Sequence, residues 1–376
     1  MSKTEIPSIR FHGFDDAWEQ RKLGDLLQTL PFKQFLKEPE PDGKYEIIQQ
    51  GNEPVIGFAN GTPCGDYKDV VIFGDHTLSL YKPQHPFFVA TDGVRIVKGQ
   101  QDTDGYYLLS LLERYKPQSE GYKRYYSILV DTNCITTYNT SEQEQIGVFF
   151  KQLDNLITLH QRKFEKLTNV KKSMLEKMFP QNGSCYPAVR FKGFTGPWER
   201  RKFGDVFEEY SEKNRADLPP LTIIQGSGTI RRDESERALQ YDKASLSNYK
   251  VVNEGDLIVH LRSFEGGLEK ANSQGIISPA YHTFHGEGVD SRFYYTYFRS
   301  KNFIDTDLKP HVYGIRDGRS IDIEGMKTIE IPFTSYPEQK LIGDAIDSIN
   351  TLISLQRREL EKLQSIKKSL LEKMFV

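Results

Sequence analysis

The side chains best suited to chemistry in this sequence are basic and aromatic residues that alternate in short stretches near glycines. Lysine and arginine neutralise phosphates, and arginine also pairs with guanine edges in the major groove of DNA. Any single exposed cluster of this kind is more often only a solvated face. The sequence nevertheless predicts contact with nucleic acid at Arg114, Lys116, Tyr122, Lys123, Arg124, Arg231, Arg232, Lys309, Tyr313, Arg316 and Arg319.

Catalytic signatures are missing from the same sequence. It contains no Gly-x-x-x-x-Gly-Lys-[Ser/Thr] loop for a nucleotide triphosphate and no Asn-Pro-Pro-aromatic tetrapeptide of the kind amino-methyltransferases use. Residues 41–44, Pro-Asp-Gly-Lys, are best interpreted as a turn, and His282 and His285 lack the spacing of a helical zinc site. These absences disfavour a stand-alone enzyme, and no zinc-ligand set can be picked out of the sequence.

Composition bounds the class of protein. The 376 residues are 37% hydrophobic and 27% charged, which is typical of two or three globular domains. No apolar run is long enough to span a bilayer, and the N-terminus has no secretory signal. Three distant cysteines, Cys64, Cys134 and Cys185, suit reduced thiols in the cytoplasm. With a net charge of −2, any DNA-binding surface must be a concentrated basic face.

The strongest signal in the sequence is an internal repeat. Residues 7–27 match residues 187–207 at an offset of 180, and the shared positions include Arg10 with Arg190 and Trp18 with Trp198. Residues 142–179 match residues 338–375 at an offset of 196, with 19 of 38 positions identical.

Between these matching segments lie two stretches, 28–141 and 208–337, that cannot be aligned from sequence. A scaffold repeated around dissimilar stretches indicates two modules that share a frame and differ in what they recognise. The alternative is a plain duplication that has drifted, but drift would spread the differences more evenly.

Residues 142–179 and 338–375 carry apolar residues at heptad spacing and are predicted to be long coiled-coil helices. At 1.5 Å per residue, each spans roughly 57 Å. We expect the helices to pair antiparallel, because a short linker and one module separate them. His160 and Gln356 are the single polar residues in equivalent heptad series, and antiparallel pairing should bring them together to fix register. The alternative is that both occupy tolerant edge positions.

The two modules are predicted to be mixed α/β (α+β), with many short strands and turns. The predicted boundaries are a first module over 1–141, a helix over 142–180, a linker over 181–186, a second module over 187–337 and a C-terminal helix over 338–376. Strands are expected at 69–75, 87–90, 93–97, 221–225, 249–252, 256–261, 275–277 and 328–331, and helices at 106–114 and 291–299.

With these motifs in place, the sequence resembles the specificity subunits of type I restriction-modification systems along its whole length. The resemblance rests on the Arg-Phe-x-Gly-Phe openings, the Glu-Gln starts and Lys-Lys-Ser endings of the helices, the Phe-Gly-Asp at 73–75 and the Gly-Asp-Leu at 255–257. One departure is that the first module enters its helix through residues 134–141, without the proline-bearing strand that contains Pro332 in the second.

The resemblance implies that each module is a target-recognition domain for one half of a bipartite site in double-stranded DNA, and that the helices set the spacer. It also implies two adenine methyltransferase (modification) subunits and two ATP-dependent restriction subunits as partners, with no membrane, no cofactor and no catalysis in this chain. Three alternatives remain: a complex that only methylates, a system with fused nuclease and methylase, and a coiled-coil adaptor that does not bind DNA. A stand-alone enzyme is disfavoured by the missing motifs.

Overall fold

The computed structural model describes residues 4–100, 102–181, 183–235, 243–259, 268–313 and 320–376. The chain divides into two compact units, one formed by residues 1–163 and 356–376 and the other by residues 164–355. Two long helices, Thr140–Lys177 and Tyr336–Met374, each contribute one part to each unit. In the described ranges no helix combines the length and apolarity that crossing a bilayer requires.

The first unit is a mixed α/β module. One antiparallel sheet has the order Leu27–Leu30, Val94–Gly99, Val70–Gly74, Leu80–Tyr81. A second has the order Val55–Ala59, Tyr45–Ile48, Phe87–Val89, with the last pair parallel, and a third has the order Thr4–Glu5, Trp18–Lys22, Asn133–Thr136. Its shorter helices are Leu23–Leu26, Lys33–Phe35, Gly105–Tyr115 and Tyr126–Asp131.

The central strand Val70–Gly74 explains how this module is layered. Every residue of the strand is buried. Alternate side chains of a strand point to opposite faces of the sheet, so both faces of this strand must be covered. Val71 and Phe73 join the core that contains the helix Gly105–Tyr115, and Val70 and Ile72 join a second core on the other face. The uninterrupted apolar run of this strand thus places it between two packed layers.

The second unit has the same kind of architecture. Its larger sheet has the order Glu208–Tyr210, His282–His285, Leu257–Val259, Glu269–Lys270. Paired strands are Leu221–Ile224 with Gly228–Arg231, Lys250–Val252 with Gly275–Ile277, Glu199–Lys202 with Glu330–Phe333, and Val312–Tyr313 with Ser320–Ile321. Shorter helices are Phe203–Val206, Arg232–Glu234, Lys243–Asn248, Ser291–Phe298, Phe303–Leu308, Lys309–His311 and Ile323–Lys327.

Each predicted strand and helix has an observed counterpart, with small shifts at the ends. The chain enters its first long helix without the proline found before the second, but a strand still forms there. Asn133–Thr136 forms a strand that pairs antiparallel with Trp18–Lys22, as Glu330–Phe333 pairs with Glu199–Lys202. Proline is not needed for this strand, because burial of its side chains and backbone pairing fix it.

Within each unit the two long helices run antiparallel. In the first unit Ile146 shares a core with Met374, and Asp154 forms an ion pair of 2.7 Å with Lys367. Residue numbers therefore rise along one helix as they fall along the other. In the second unit the core contains Met178 near the end of one helix together with Ile342 near the start of the other.

A buried carboxylate ties the start of each module to the first turn of a long helix. In the first unit the Arg10 guanidinium donates to both carboxylate oxygens of Glu142, at 2.6 and 3.0 Å, and the Trp18 indole donates at 3.2 Å. Glu142 is fully buried, so its charge depends on these donors. The hydrogen bond to Glu142 raises the pKa of Arg10.

The second unit repeats this Arg–Glu–Trp arrangement. Arg190 donates to Glu338 at 2.6 and 2.8 Å, and the Trp198 indole donates at 3.1 Å. The Thr334 hydroxyl also donates to this carboxylate. Charge-assisted, forked hydrogen bonds of this kind fix orientation as well as contributing energy.

Replacing Glu142 with alanine should strongly destabilise the fold, because it leaves the Arg10 charge and the Trp18 donor without their buried acceptor. We expect a loss of about 3–5 kcal/mol in the free energy of unfolding, measured by urea denaturation of the full chain. The matched control is Glu361→Ala, which removes an exposed carboxylate paired with Arg357 in the same unit and should cost less than about 1 kcal/mol. Equal losses in the two variants would contradict the assigned role of Glu142.

Candidate nucleic-acid interface

The basic and aromatic segment at 121–126 of the first module is held in place by one buried carboxylate. Asp75 is 1% exposed and follows the central strand Val70–Gly74. Its side chain accepts the backbone N–H of Tyr126 at 2.9 Å and the guanidinium of Arg95 at 3.0 Å. Its carbonyl oxygen accepts the backbone N–H of Tyr125 at 2.7 Å. The segment is thereby fixed to the rigid end of a strand.

This segment displays an aromatic ring and an unpaired cation. Tyr122 is 87% exposed, and its ring stacks on His76 at 4.6 Å between centroids. Lys123 pairs with Glu120 at 2.7 Å, and this contact raises the pKa of Lys123. Arg124 is exposed and makes no hydrogen bond or ion pair with the described residues. The cation most available to an anionic ligand here is therefore Arg124.

Arg114 and Lys116, at the end of the helix Gly105–Tyr115, have different surroundings. The Arg114 guanidinium lies over the Tyr115 ring and donates to the Phe375 carbonyl at 3.3 Å. It therefore anchors the C-terminal segment of the chain to this module. Lys116 is exposed, with no partner among the described side chains.

In the second module the arginine pair after the hairpin is partly occupied by internal contacts. Arg231 pairs with Asp233 at 2.9 Å and remains half exposed, and this partner raises the pKa of Arg231. Arg232 donates to the Leu221 carbonyl at 3.3 Å, and its guanidinium lies over the Tyr249 ring. Arg231 is thus the more available of the two.

The other residues predicted to contact DNA in the second module lie between residues 309 and 319, before the second long helix begins. Lys309 is exposed at the start of the short helix Lys309–His311, and Tyr313 is exposed in the strand that follows. Arg316 and Arg319 fall outside the described residues.

The two polar residues expected at the centre of the paired helices are in contact. The His160 Nδ1 atom lies 3.0 Å from the Gln356 Oε1 atom, and both side chains are partly buried. Both belong to the first unit, whose helix segments end near this point.

A pair of matching hairpins lies in residues 28–141 and 208–337, which could not be aligned from sequence. Tyr45–Ile48 pairs with Val55–Ala59, and Leu221–Ile224 pairs with Gly228–Arg231. In both hairpins the first strand ends in Ile-Ile and is followed by glutamine, and a glycine with positive φ follows in the turn. That short match is the signal that could have identified them.

Across the described ranges, no three or more His, Cys, Asp or Glu side chains are grouped as metal ligands. The described surfaces display cations, aromatic rings and neutral polar groups on rigid supports. This arrangement can bind an anionic polymer and contact base edges.

Known proteins with similar sequences share one description. The chain matches no protein-family model. It is 22% identical, over 99% of its length and 94% of the relative, to the putative type I restriction enzyme MjaX specificity subunit of Methanocaldococcus jannaschii. It is 26% identical, over 95% of its length and 91% of the relative, to the type I restriction enzyme MjaVIII specificity subunit of the same organism.

The fold has a solved counterpart. The crystal structure of the type I restriction-modification system S subunit from M. genitalium matches 99% of this chain and 99% of its own length, with a TM-score of 0.63. At 13% sequence identity this match establishes the shared fold.

Replacing Lys116 and Arg124 together with alanine should weaken DNA binding and its dependence on salt. Two lost phosphate contacts lower the slope of log affinity against log salt by about two, measured by titration at several salt concentrations. The control is Lys22→Ala with Lys98→Ala, which makes the same change in net charge but removes cations already paired with Asp131 and Asp66. An unchanged slope in the first variant would assign these two residues to a solvated face.

Proposed function

We propose that this chain, a relative of the type I restriction enzyme specificity subunits, is itself the DNA-specificity subunit of a type I restriction-modification complex. Each module recognises one half of a bipartite site in double-stranded DNA. The observation that carries this proposal is one scaffold used twice: Arg10, Glu142 and Trp18 in one unit have the same contacts as Arg190, Glu338 and Trp198 in the other.

What the two modules display on that scaffold is different. The first displays Tyr122 and Arg124, and the second displays Arg231 and Tyr313. Different exposed side chains on equivalent frames suit two different half-sites. The eleven basic and aromatic residues predicted from sequence remain our candidates for DNA contact, with Arg114 and Arg232 the least available because of their internal partners.

The paired helices set the unread spacer between the half-sites. A helix of this length spans roughly 57 Å, and one turn of B-DNA is roughly 34–36 Å. Two recognition modules can therefore contact DNA more than one turn apart. We assign the His160–Gln356 contact to fixing the helix register, since a slip of one heptad moves a module by roughly 10 Å.

Exposed apolar side chains at equivalent positions of the long helices support the binding of two copies of one partner. The first unit exposes Leu156, Leu159 and Ile366, and the second exposes their equivalents at the offset of 196. Those equivalents are Leu352, Leu355 and Val170. Apolar side chains duplicated in this way are typical of protein interfaces. We assign them to two methyltransferase subunits, which supply the chemistry, and two restriction subunits join that complex in the cytoplasm.

A complex that only methylates is the second candidate, because the chain would carry the same surfaces in it. ATP-dependent cleavage by the purified complex separates the two: cleavage of unmethylated DNA supports restriction, and methylation without cleavage supports the second candidate. A pure coiled-coil adaptor is disfavoured by the cations and rings displayed away from the helices.

Exchanging residues 208–337 for the equivalent segment of another specificity subunit should change one half-site and leave the other intact. The reason is that the helices and the Arg–Glu–Trp contacts remain in place. Sequencing of methylated adenines in host DNA measures both half-sites at once. The reciprocal exchange of residues 28–141 is the control and should change only the other half. If one exchange alters both halves, the modules do not act separately.

A further inference from the structure

We propose that the turn between strands Leu221–Ile224 and Gly228–Arg231 recognises bases in the second half-site, and that Glu269 is the residue that positions it. This inference rests on the proposed function and extends it to a turn whose side chains the sequence analysis did not select.

Glu269 gathers four donors around one buried carboxylate. The side chain is in the strand Glu269–Lys270 and is 4% exposed. It accepts the backbone N–H groups of Gly226 at 2.7 Å and Gly228 at 3.2 Å, both within or at the end of the turn. It also accepts the Tyr295 hydroxyl at 2.9 Å and the Arg299 guanidinium at 2.8 Å. The turn is thus bonded to a charge held by the helix Ser291–Phe298 and the residue after it.

A second side chain also forms hydrogen bonds with the backbone of the turn. The Asn272 side-chain amide donates to the Ser227 carbonyl at 2.7 Å and to the Thr229 carbonyl at 3.0 Å. Gly228 has a φ of +79°, and a β-carbon there would lie 2.5 Å from the Lys270 carbonyl oxygen. Only glycine fits this position without strain.

The outer side of the turn is exposed and polar. Residues 224–227 are exposed, whereas Gly228 and Thr229 are buried. The side chains of Gln225 and Ser227 make no hydrogen bond with any described residue. A glutamine carboxamide pairs with adenine in the major groove, and a serine hydroxyl pairs with several base edges. Holding the backbone of the turn in place before binding reduces the entropy lost on contact.

The hairpin of the first module provides an internal comparison. Its Ile47-Ile48-Gln49 corresponds to Ile223-Ile224-Gln225, and its Gly51 N–H donates to the Ser79 hydroxyl at 2.9 Å. A neutral acceptor is therefore enough to hold such a turn. The second module instead uses a carboxylate for two amides, and hydrogen bonds to a charged acceptor are about twice as strong as neutral ones. These stronger hydrogen bonds position the turn between Ile224 and Gly228.

The test compares three variants of the full-length chain, produced in the host with its partner subunits, by sequencing methylated adenines. Gln225→Ala removes the proposed base contact, and Glu269→Gln weakens the positioning without changing the shape of the side chain. Both should relax discrimination at a position of the second half-site by about tenfold and leave the first half-site unchanged. Glu254→Gln is the control, since it makes the same charge change at an exposed residue of the same module and should have no effect.

The outcomes separate this inference from the function on which it rests. A wild-type bipartite motif with unchanged base preference in both variants overturns the inference and leaves the proposed function standing. A wild-type chain that directs methylation to no bipartite motif overturns both. If Glu269→Gln lowers the melting temperature, Gln225→Ala decides alone, because that exposed side chain has no hydrogen bond to any described residue that its loss could break.

Discussion

The structure depends on a buried carboxylate at the start of each long helix. Glu142 and Glu338 are carboxylates removed from water, and an arginine fork and a tryptophan indole from the beginning of a module converge on each. In each set the arginine and the tryptophan are near one another in sequence, and the glutamate is distant from both. Their contact fixes how the opening segment of each module meets its helix, so the remaining residues of the module are free to vary.

With a net charge of −2, the chain can present positive charge to an anionic partner only on local surfaces. Several cations of the modules are paired with acids nearby, as Lys123 is with Glu120 and Arg231 with Asp233. Other groups stay exposed on rigid supports, such as Arg124 and Tyr122 on the segment held by Asp75. Sparse contacts of this kind favour specificity over general affinity for phosphate.

Repetition made the helices, their antiparallel pairing and the contact between His160 and Gln356 predictable from sequence, because heptad spacing and internal offsets are local signals. The buried contacts of Asp75 and Glu269 were not predictable, since they join residues tens of positions apart. The paired hairpins were missed because their shared residues are few. Arg114 is predicted from sequence as a DNA contact, and its hydrogen bond to the Phe375 carbonyl was not predictable, because it joins residues far apart in the chain.

We propose that the paired helices set the distance between the two half-sites. Inserting seven residues into each long helix, beside His160 and beside Gln356, lengthens the pair by roughly 10 Å while preserving the heptad pattern. Sequencing of methylated adenines in host DNA then gives the spacer directly. The account predicts the same two half-sites with a spacer longer by about three base pairs. Unchanged half-sites with an unchanged spacer would contradict it.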